Sequence, residues 1–140
     1  CTQIGSSKGW FDKDLIDAVV RNLLSNAVKF TGNCGRVNII LKEDSKAGSL
    51  ILKVADNGVG IAGDRIGNLF SSENMQSTSG TANEKGSGIG LKLVYEFTRI
   101  CKGEISVEST AGEGTCFTVV LPRPNSEVQY SQLADRASIN

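Results

Sequence analysis

Apolar side chains recur every three or four residues in two long stretches of the chain, and this spacing predicts two main helices. The first begins after Asp12, a residue type that favours the helix N-cap, and carries apolar residues four apart: Leu15, Val19, Leu23 and Ala27. The second is predicted from about Ile89 to Cys101, and a shorter helix from about Asp64 to Phe70.

Strand-like segments form two pairs, each joined by a short polar turn. The first pair is Arg36–Lys42 with Ser49–Ala55, and the second is Glu104–Ser109 with Thr115–Leu121. Short connections make the strands of each pair antiparallel. The predicted fold class is therefore α+β, a two-layer α/β sandwich whose mixed, mostly antiparallel sheet is covered on one face by about three helices.

Length and composition indicate one globular domain. The chain has 140 residues, of which 39% are hydrophobic and 21% charged, and 15 basic residues balance 15 acidic ones. No basic stripe favours nucleic acid as a partner, and no apolar run reaches the roughly 20 residues that span a bilayer. We expect an N-terminal segment over 1–10 that could form an edge strand, a domain over 11–124 and a polar tail or linker over 125–140.

Two absences narrow the chemistry. The chain contains no histidine, and its four cysteines lack the paired spacing of a zinc site. Catalysis by a histidine base, and any serine or cysteine triad, is therefore excluded within this chain. Because the chain begins at Cys1 without a methionine or a signal-like segment, we expect a cytoplasmic piece of a longer protein that could itself be membrane-anchored.

The first predicted helix carries polar side chains beside its apolar face. Asn22, Asn26 and Lys29 fall within roughly 60° of one another on a helical wheel. An asparagine carbonyl oxygen suits Mg²⁺, which is commonly shared with nucleotide phosphates, and a lysine one turn away can contact the same phosphates. The alternative is a solvated helix face with no ligand.

A second polar group, Asp56–Ile61, follows a strand directly. Its two glycines, Gly58 and Gly60, allow a sharp turn and a close approach to a flat ligand. A carboxylate at a strand end can also accept a hydrogen bond from an exocyclic amine such as that of adenine. An ordinary Asp-Asn-Gly turn is the alternative.

Glycines cluster again where the last helix begins, at Gly86–Leu91. Backbone N–H groups at a helix N-terminus attract anions, and glycine lets a phosphate approach them. The preceding segment, 71–85, is a long polar loop, which in a compact domain is either functional or disordered. A shorter glycine turn, Gly112–Thr115, opens the last strand. A flexible loop entering a helix is the alternative interpretation of Gly86–Leu91.

The order and spacing of these segments resemble the GHKL family, the ATPase superfamily of gyrase, the heat-shock chaperone, histidine kinases and mismatch-repair proteins. NLLSNAVKFT is similar to its N box, DNGVGI to its G1 box, GSGIGL to its G2 box and GEGT to its final glycine box. The likeness covers about residues 11–122 and is closest to the histidine-kinase branch.

The resemblance implies a Bergerat-type ATP-binding fold with ATP and Mg²⁺ as ligands. Asn26 would ligate the metal, Asn22 would support the metal and phosphate site, and Lys29 would contact phosphate; these three are the implied catalytic residues. Asp56 would bind the adenine amino group, helped by Thr115 through water. The remaining nucleotide-binding residues would be Phe30, Gly58, Gly60, Ile61, Phe70, Gly86, Ser87, Gly88, Ile89, Gly90 and Leu91.

The resemblance also implies what surrounds this site. Residues 71–85 would be a mobile ATP lid, and Phe70 would correspond to an aromatic box in which a second phenylalanine often follows. Phe30 stands where the family often has tyrosine. In ATP-hydrolysing branches the position of Asn22 usually holds a glutamate that activates water, and asparagine cannot act as that base.

The implied function is that of the catalytic domain of a sensor histidine kinase. It would transfer the γ-phosphate of ATP to a histidine on a separate dimerisation domain of a homodimeric parent, with a response-regulator receiver domain downstream. Neither nucleic acid nor a membrane is an expected contact. The alternatives are a GHKL-type Ser/Thr kinase or ATPase, and a catalytically degenerate nucleotide-binding module.

Overall fold

The computed structural model describes residues 13–70 and 89–123. It contains three helices and four strands: α1 (Lys13–Phe30), β1 (Val37–Asp44), β2 (Ser49–Asp56), α2 (Gly63–Ile66), α3 (Ile89–Ile100), β3 (Glu104–Thr110) and β4 (Gly114–Pro122). The predictions for segment 1–10, for the lid over 71–85 and for the tail over 125–140 lie outside the described residues.

The four strands form one sheet in the order β1-β2-β4-β3, and every neighbouring pair is antiparallel. Both predicted hairpins are present, and β2 pairs with β4 to join them. This pairing places Asp56, the last residue of β2, opposite Thr115 near the start of β4. The predicted α+β class and the antiparallel pairs are confirmed.

Helices α1 and α3 cover one face of the sheet and enclose the core with it. Val19, Leu23 and Ala27 are buried on α1, as their four-residue spacing predicts, and Val94 and Phe97 are buried on α3. The strands complete the core with alternate residues of the two central strands: Leu52, Val54, Phe117, Val119 and Leu121. The apolar faces predicted from the helix period of 3.6 and the strand period of 2 therefore pack against each other in one apolar layer.

One helix is shorter than the sequence predicts, and one strand keeps large apolar side chains exposed. Helix α2 ends at Ile66 instead of extending to Phe70, since Gly67 and Asn68 are poor helix formers. On β1, Ile39 and Leu41 share the helix-side face but remain 45% and 52% exposed, because β1 is an edge strand that lies beyond most of the helix layer.

Within residues 13–70 and 89–123, no helix combines the length and the apolar content needed to cross a bilayer.

Candidate functional site

Asp56 is held in place where β2 ends. Its Oδ1 accepts the backbone N–H of Gly58 at 2.8 Å, which closes a tight turn on the strand end. The side chain is half-buried. Loss of hydration raises the pKa of the Asp56 carboxyl above its ordinary value, and the backbone N–H groups of Gly58 and Thr115 act in the opposite direction. Burial is the larger effect, so the protein keeps a carboxylate in a partly dehydrated place.

The raised pKa of Asp56 means that ionisation of this carboxyl lowers the stability of the fold. The fold disfavours the ionised carboxylate relative to the unfolded chain, so Asp56 costs stability once the pH exceeds both pKa values. That cost falls away as the pH drops through the raised pKa of the folded state. A carboxyl whose pKa is shifted by burial in this way is a candidate for a ligand site.

The turn after Asp56 rests on the end of α1. The backbone N–H of Val59 donates to the carbonyl of Phe30 at 3.0 Å. A Cβ on Gly58 would collide with that same carbonyl, so only glycine permits the contact. Asn57 fixes the other side of the turn, where its Oδ1 accepts the N–H of Arg36 at 2.6 Å.

Gly60 brings this turn against the β3–β4 connection. Its φ is +67°, and a Cβ would strike the carbonyl of Thr110. The neighbouring N–H of Gly112 donates to the carbonyl of Val59 at 2.8 Å. Gly114, with φ +124°, is pressed in the same way against the carbonyl of Asp56. Two glycine turns distant in sequence are thus in backbone contact around Asp56.

Ser109, which sequence reasoning did not single out, links these turns. Its Oγ accepts the N–H of Ile61 at 2.8 Å and donates to the carbonyl of Gly114 at 2.7 Å. It also lies 2.9 Å from the hydroxyl oxygen of Thr115, which is only 8% exposed. The signal that could have found it is the β3–β4 register, which places Ser109 opposite Thr115.

The polar face of α1 forms the second part of the site. The side-chain amide of Asn22 donates to the Ala18 carbonyl at 2.7 Å, which fixes its orientation. Asn26, one turn on, is half-buried on the same face. The ammonium of Lys29 lies 5.0 Å from the centre of the Phe30 ring. The predicted clustering of two amides and an ammonium on one helix face is therefore present.

The start of α3 lies directly against this face. A Cβ on Gly90 would collide with the Oδ1 of Asn22, so glycine allows the two helices to approach at this point. Ile89 is 63% exposed, whereas Leu91 packs against the core. Gly86, Ser87 and Gly88, the other predicted phosphate contacts, lie outside the described residues.

Phe70 is placed by aromatic contacts with α3. Its ring stacks on Tyr95, with ring centres 5.2 Å apart and planes 12° apart, and the Arg99 guanidinium lies 5.8 Å from the Tyr95 ring centre. Tyr95 and Arg99 were not singled out from the sequence. The role of Phe70 in nucleotide binding stays a prediction.

The structure thus brings most predicted residues into two connected groups. The first surrounds Asp56 and is joined by Ser109, and the second is the polar face of α1 with the start of α3. Phe30 connects them, because its carbonyl contacts the turn that follows Asp56. Carboxylate, amide and ammonium groups together suit a ligand with an amine at one end and phosphates and a metal at the other.

Comparisons with known proteins agree with this arrangement. The family model described as "Histidine kinase-, DNA gyrase B-, and HSP90-like ATPase" matches residues 11–125. The chain is 35% identical over 123 residues to the circadian input-output histidine kinase CikA of Synechocystis sp. (strain ATCC 27184 / PCC 6803 / Kazusa), covering 87% of this chain and 16% of the relative. It is 32% identical to the autoinducer 2 sensor kinase/phosphatase LuxQ of Vibrio parahaemolyticus serotype O3:K6 (strain RIMD 2210633), covering 88% and 15%.

Solved structures of histidine kinases are also similar to this chain. The mycobacterial sensor histidine kinase MprB superposes with a TM-score of 0.65 at 27% identity, covering 81% of this chain and 76% of that one. Full-length ShkA in complex with AMPPNP superposes with a TM-score of 0.65 at 26% identity, covering 84% and 23%. The chain spans about a sixth of the length of the curated relatives named above, 16% and 15%.

Replacing Gly60 by alanine tests the close contact between the two glycine turns. We expect Gly60→Ala to lower the free energy of unfolding by at least about 3 kcal/mol, since it adds a backbone clash to the cost of a positive φ. Gly48→Ala is the matched control: its φ is +62° but a Cβ there meets nothing within 4 Å. It should cost only about 1 kcal/mol. Equal losses in urea denaturation would show that the contact is not rigid.

Proposed function

The chain belongs to the family of histidine kinase-, DNA gyrase B- and HSP90-like ATPases, and we propose that it binds Mg-ATP and presents the γ-phosphate to a histidine on a separate domain. It is an ATP-binding kinase module homologous to the catalytic domains of sensor histidine kinases. The phosphoryl acceptor must lie outside this chain, because the chain has no histidine. The proposed acceptor is a histidine-bearing dimerisation domain of a homodimeric, cytoplasm-facing parent, with a response-regulator receiver domain downstream.

Asp56 carries this proposal, because its carboxylate is both fixed and partly dehydrated. The backbone N–H groups of Gly58 and Thr115 both face the carboxylate, and its remaining lone pairs can accept an amino hydrogen of adenine. The carboxylate is partly buried and therefore incompletely solvated, which raises its pKa, so less hydration would be lost when a ligand arrives. Gly58 and Gly60 would form a flat wall beside the base, and Thr115 would assist through water.

The polar face of α1 suits the phosphate end of the nucleotide. Asn26 offers a hard carbonyl oxygen of the kind that Mg²⁺ prefers, and Lys29 offers a cation for phosphate. The first turn of α3 lies beside Asn22, because Gly90 has no side chain to hold the two helices apart. Backbone N–H groups at such a helix start could bind the phosphates. The residues present therefore fit both ligands. When bound, the metal would neutralise phosphate charge during transfer.

Asn22 favours transfer over hydrolysis. Its amide nitrogen donates to the Ala18 carbonyl, and an amide has no proton-accepting group strong enough to activate water. What remains for this chain is to orient the phosphates and stabilise their charge, which is the main protein contribution to phosphoryl transfer. Full-length ShkA, part of which has a similar fold, was solved in complex with AMPPNP, which supports the proposal of nucleotide binding.

Replacing Asp56 by asparagine tests the adenine contact. The asparagine Oδ1 can keep the Gly58 N–H, but its NH₂ then faces the adenine amine, so donor meets donor. We expect affinity for a non-hydrolysable ATP analogue to fall at least about tenfold in calorimetry. The nucleotide-free variant should remain folded, because asparagine has nearly the same shape as aspartate and its Oδ1 still accepts the Gly58 N–H.

Asp44→Asn is the matched control for that experiment. Asp44 also ends a strand, and its Oδ1 accepts the N–H groups of Lys46 and Ala47 at 3.0 and 3.1 Å. It lies at the opposite end of the sheet from Asp56, so nucleotide affinity should not change. Unchanged affinity in Asp56→Asn, or equal losses in both variants, would contradict the assignment.

Replacing Asn26 by alanine tests the metal site. In the parent, Mg²⁺ should strengthen binding of the ATP analogue, and the variant should lose about tenfold or more of that enhancement, since a single ligand is removed. Titrations with and without Mg²⁺ measure it. Ser25→Ala, an exposed neighbour on the same helix, should retain the full enhancement. If Asn26→Ala retains it too, the metal is held by other groups.

A transfer assay separates the proposed reaction from its alternatives. With labelled ATP and the histidine-bearing domain of the parent, the chain should place an acid-labile phosphate on that domain, and Asp56→Asn should do so far more slowly at limiting ATP. Acid-stable phosphate on an added serine-bearing protein would favour a Ser/Thr kinase, and phosphate release without an acceptor would favour an ATPase. Nucleotide binding with neither product would indicate a degenerate module.

A further inference from the structure

The sheet has a second face, opposite α1 and α3, that the candidate site does not use. Each strand presents alternate side chains there, and the strand register aligns them in three rows across the sheet. Read from β1 through β2 and β4 to β3, the rows are Lys42, Ile51, Val120 and Glu104; Ile40, Lys53, Thr118 and Ser106; Asn38, Ala55, Cys116 and Glu108. We call this set the open face.

Charge is divided across the open face. Both lysines lie on the β1–β2 side, at Lys42 and Lys53, and both glutamates lie on β3, the outermost described strand on the other side, at Glu104 and Glu108. In the part of the chain that the structure describes, none of these four forms an ion pair. Apolar groups lie between and beside them, including Ile40, which is 51% exposed.

This arrangement is complementary to itself. A two-fold axis parallel to the strands, lying between two facing copies, exchanges β1 with β3 and β2 with β4. Because Lys42 and Glu104 occupy the same row, the axis sets Lys42 of each copy over Glu104 of the other, giving two opposite-charge contacts. The same operation sets Ile51 over Val120. Two sheets stacked in this aligned way are a common packing.

We propose that the open face is a self-association surface whose partner is a second copy of this chain. The like-charged side chains of the two copies are kept apart, and each charged edge meets its opposite. Such an isologous contact is what two-fold symmetry requires of a dimer interface. In each copy, charged and apolar positions face complementary positions of the other copy. This favours a second copy over an unrelated protein whose surface carries charges of one sign only.

The area indicates a weak contact. Strands about 4.8 Å apart, each contributing about six residues at about 3.3 Å, give a face of roughly 19 by 20 Å. Two such faces would bury on the order of 800 Å², which is below the roughly 1,000 Å² expected of a stable specific interface, so the proposed contact is a weak, transient one. In the homodimeric parent of the proposed function, tethering would raise the effective concentration to about the millimolar range.

The open face is independent of the candidate site. Asp56 and Thr115 belong to the helix-side set of strand residues, on the other side of the sheet. Pairing would leave the nucleotide site open, and nucleotide affinity should not depend on it. The two proposals can therefore fail separately.

A charge swap tests the pairing in the 140-residue chain. Sedimentation velocity up to about millimolar protein, and NMR amide shifts on dilution, should show a monomer–dimer equilibrium with shifts confined to the strands. Lys42→Glu and Glu104→Lys should each weaken the dimer about fivefold or more, since each sets two like-charged pairs in contact. The double variant should recover parental affinity within about threefold.

Matched controls make the same charge changes outside the face. Lys46 and Glu113 lie in exposed turns at the two ends of the sheet, so Lys46→Glu and Glu113→Lys should leave the dimer affinity unchanged. Circular dichroism confirms that each variant is folded. The proposal is overturned if the chain stays monomeric at every concentration, if the swap fails to recover the dimer, or if the controls weaken it equally.

Discussion

The antiparallel pairing of β2 with β4 is the contact on which the rest of the molecule depends. It joins two local hairpins into one sheet, and it sets Asp56 opposite Thr115 at the strand ends. Gly114 makes that approach sterically possible, because any side chain there would strike the Asp56 carbonyl. The core and the candidate site are thus organised by the same strand pair, so a change in register would destroy both.

The partly buried Asp56 carboxylate lowers the stability of the fold, and this cost is consistent with its proposed role in binding a ligand. Burial raises the pKa of the Asp56 carboxyl, so its ionised form opposes folding. Backbone N–H groups and the glycine turns hold the carboxylate in place in spite of this cost. A preorganised, poorly hydrated acceptor loses less on binding a ligand than a flexible, fully hydrated one. In the proposed function, stability is exchanged for ligand recognition at Asp56, while the apolar layer under α1 and α3 supports the fold.

The two faces of the sheet divide the functions proposed for this chain. The helix-side residues build the core and, at one strand end, the proposed nucleotide site. The opposite face has charges in a self-complementary order and lies away from Asp56. A catalytic domain that works beside its own copy could use such a face to set the separation of two active sites without obstructing either one.

The sequence by itself determined the elements, the family and most of the candidate site. Periodicity predicted α1 and the strand pairs, and the polar stripe at Asn22, Asn26 and Lys29 followed from helix geometry alone. The sequence could do this because spacing along one element decides which side chains share a face. The glycine boxes could also be predicted, because each glycine-rich turn is formed by residues that are adjacent in the sequence.

Only the tertiary structure decided how these pieces meet. The bridging role of Ser109, the stacking of Phe70 on Tyr95 and the exposure of Ile39 and Leu41 depend on which strands are neighbours and how far the helices extend. Those facts come from contacts between residues distant in the chain, and a local pattern does not encode the register of such contacts. A serine hydroxyl becomes a three-way link only when two turns are brought within hydrogen-bond distance of it.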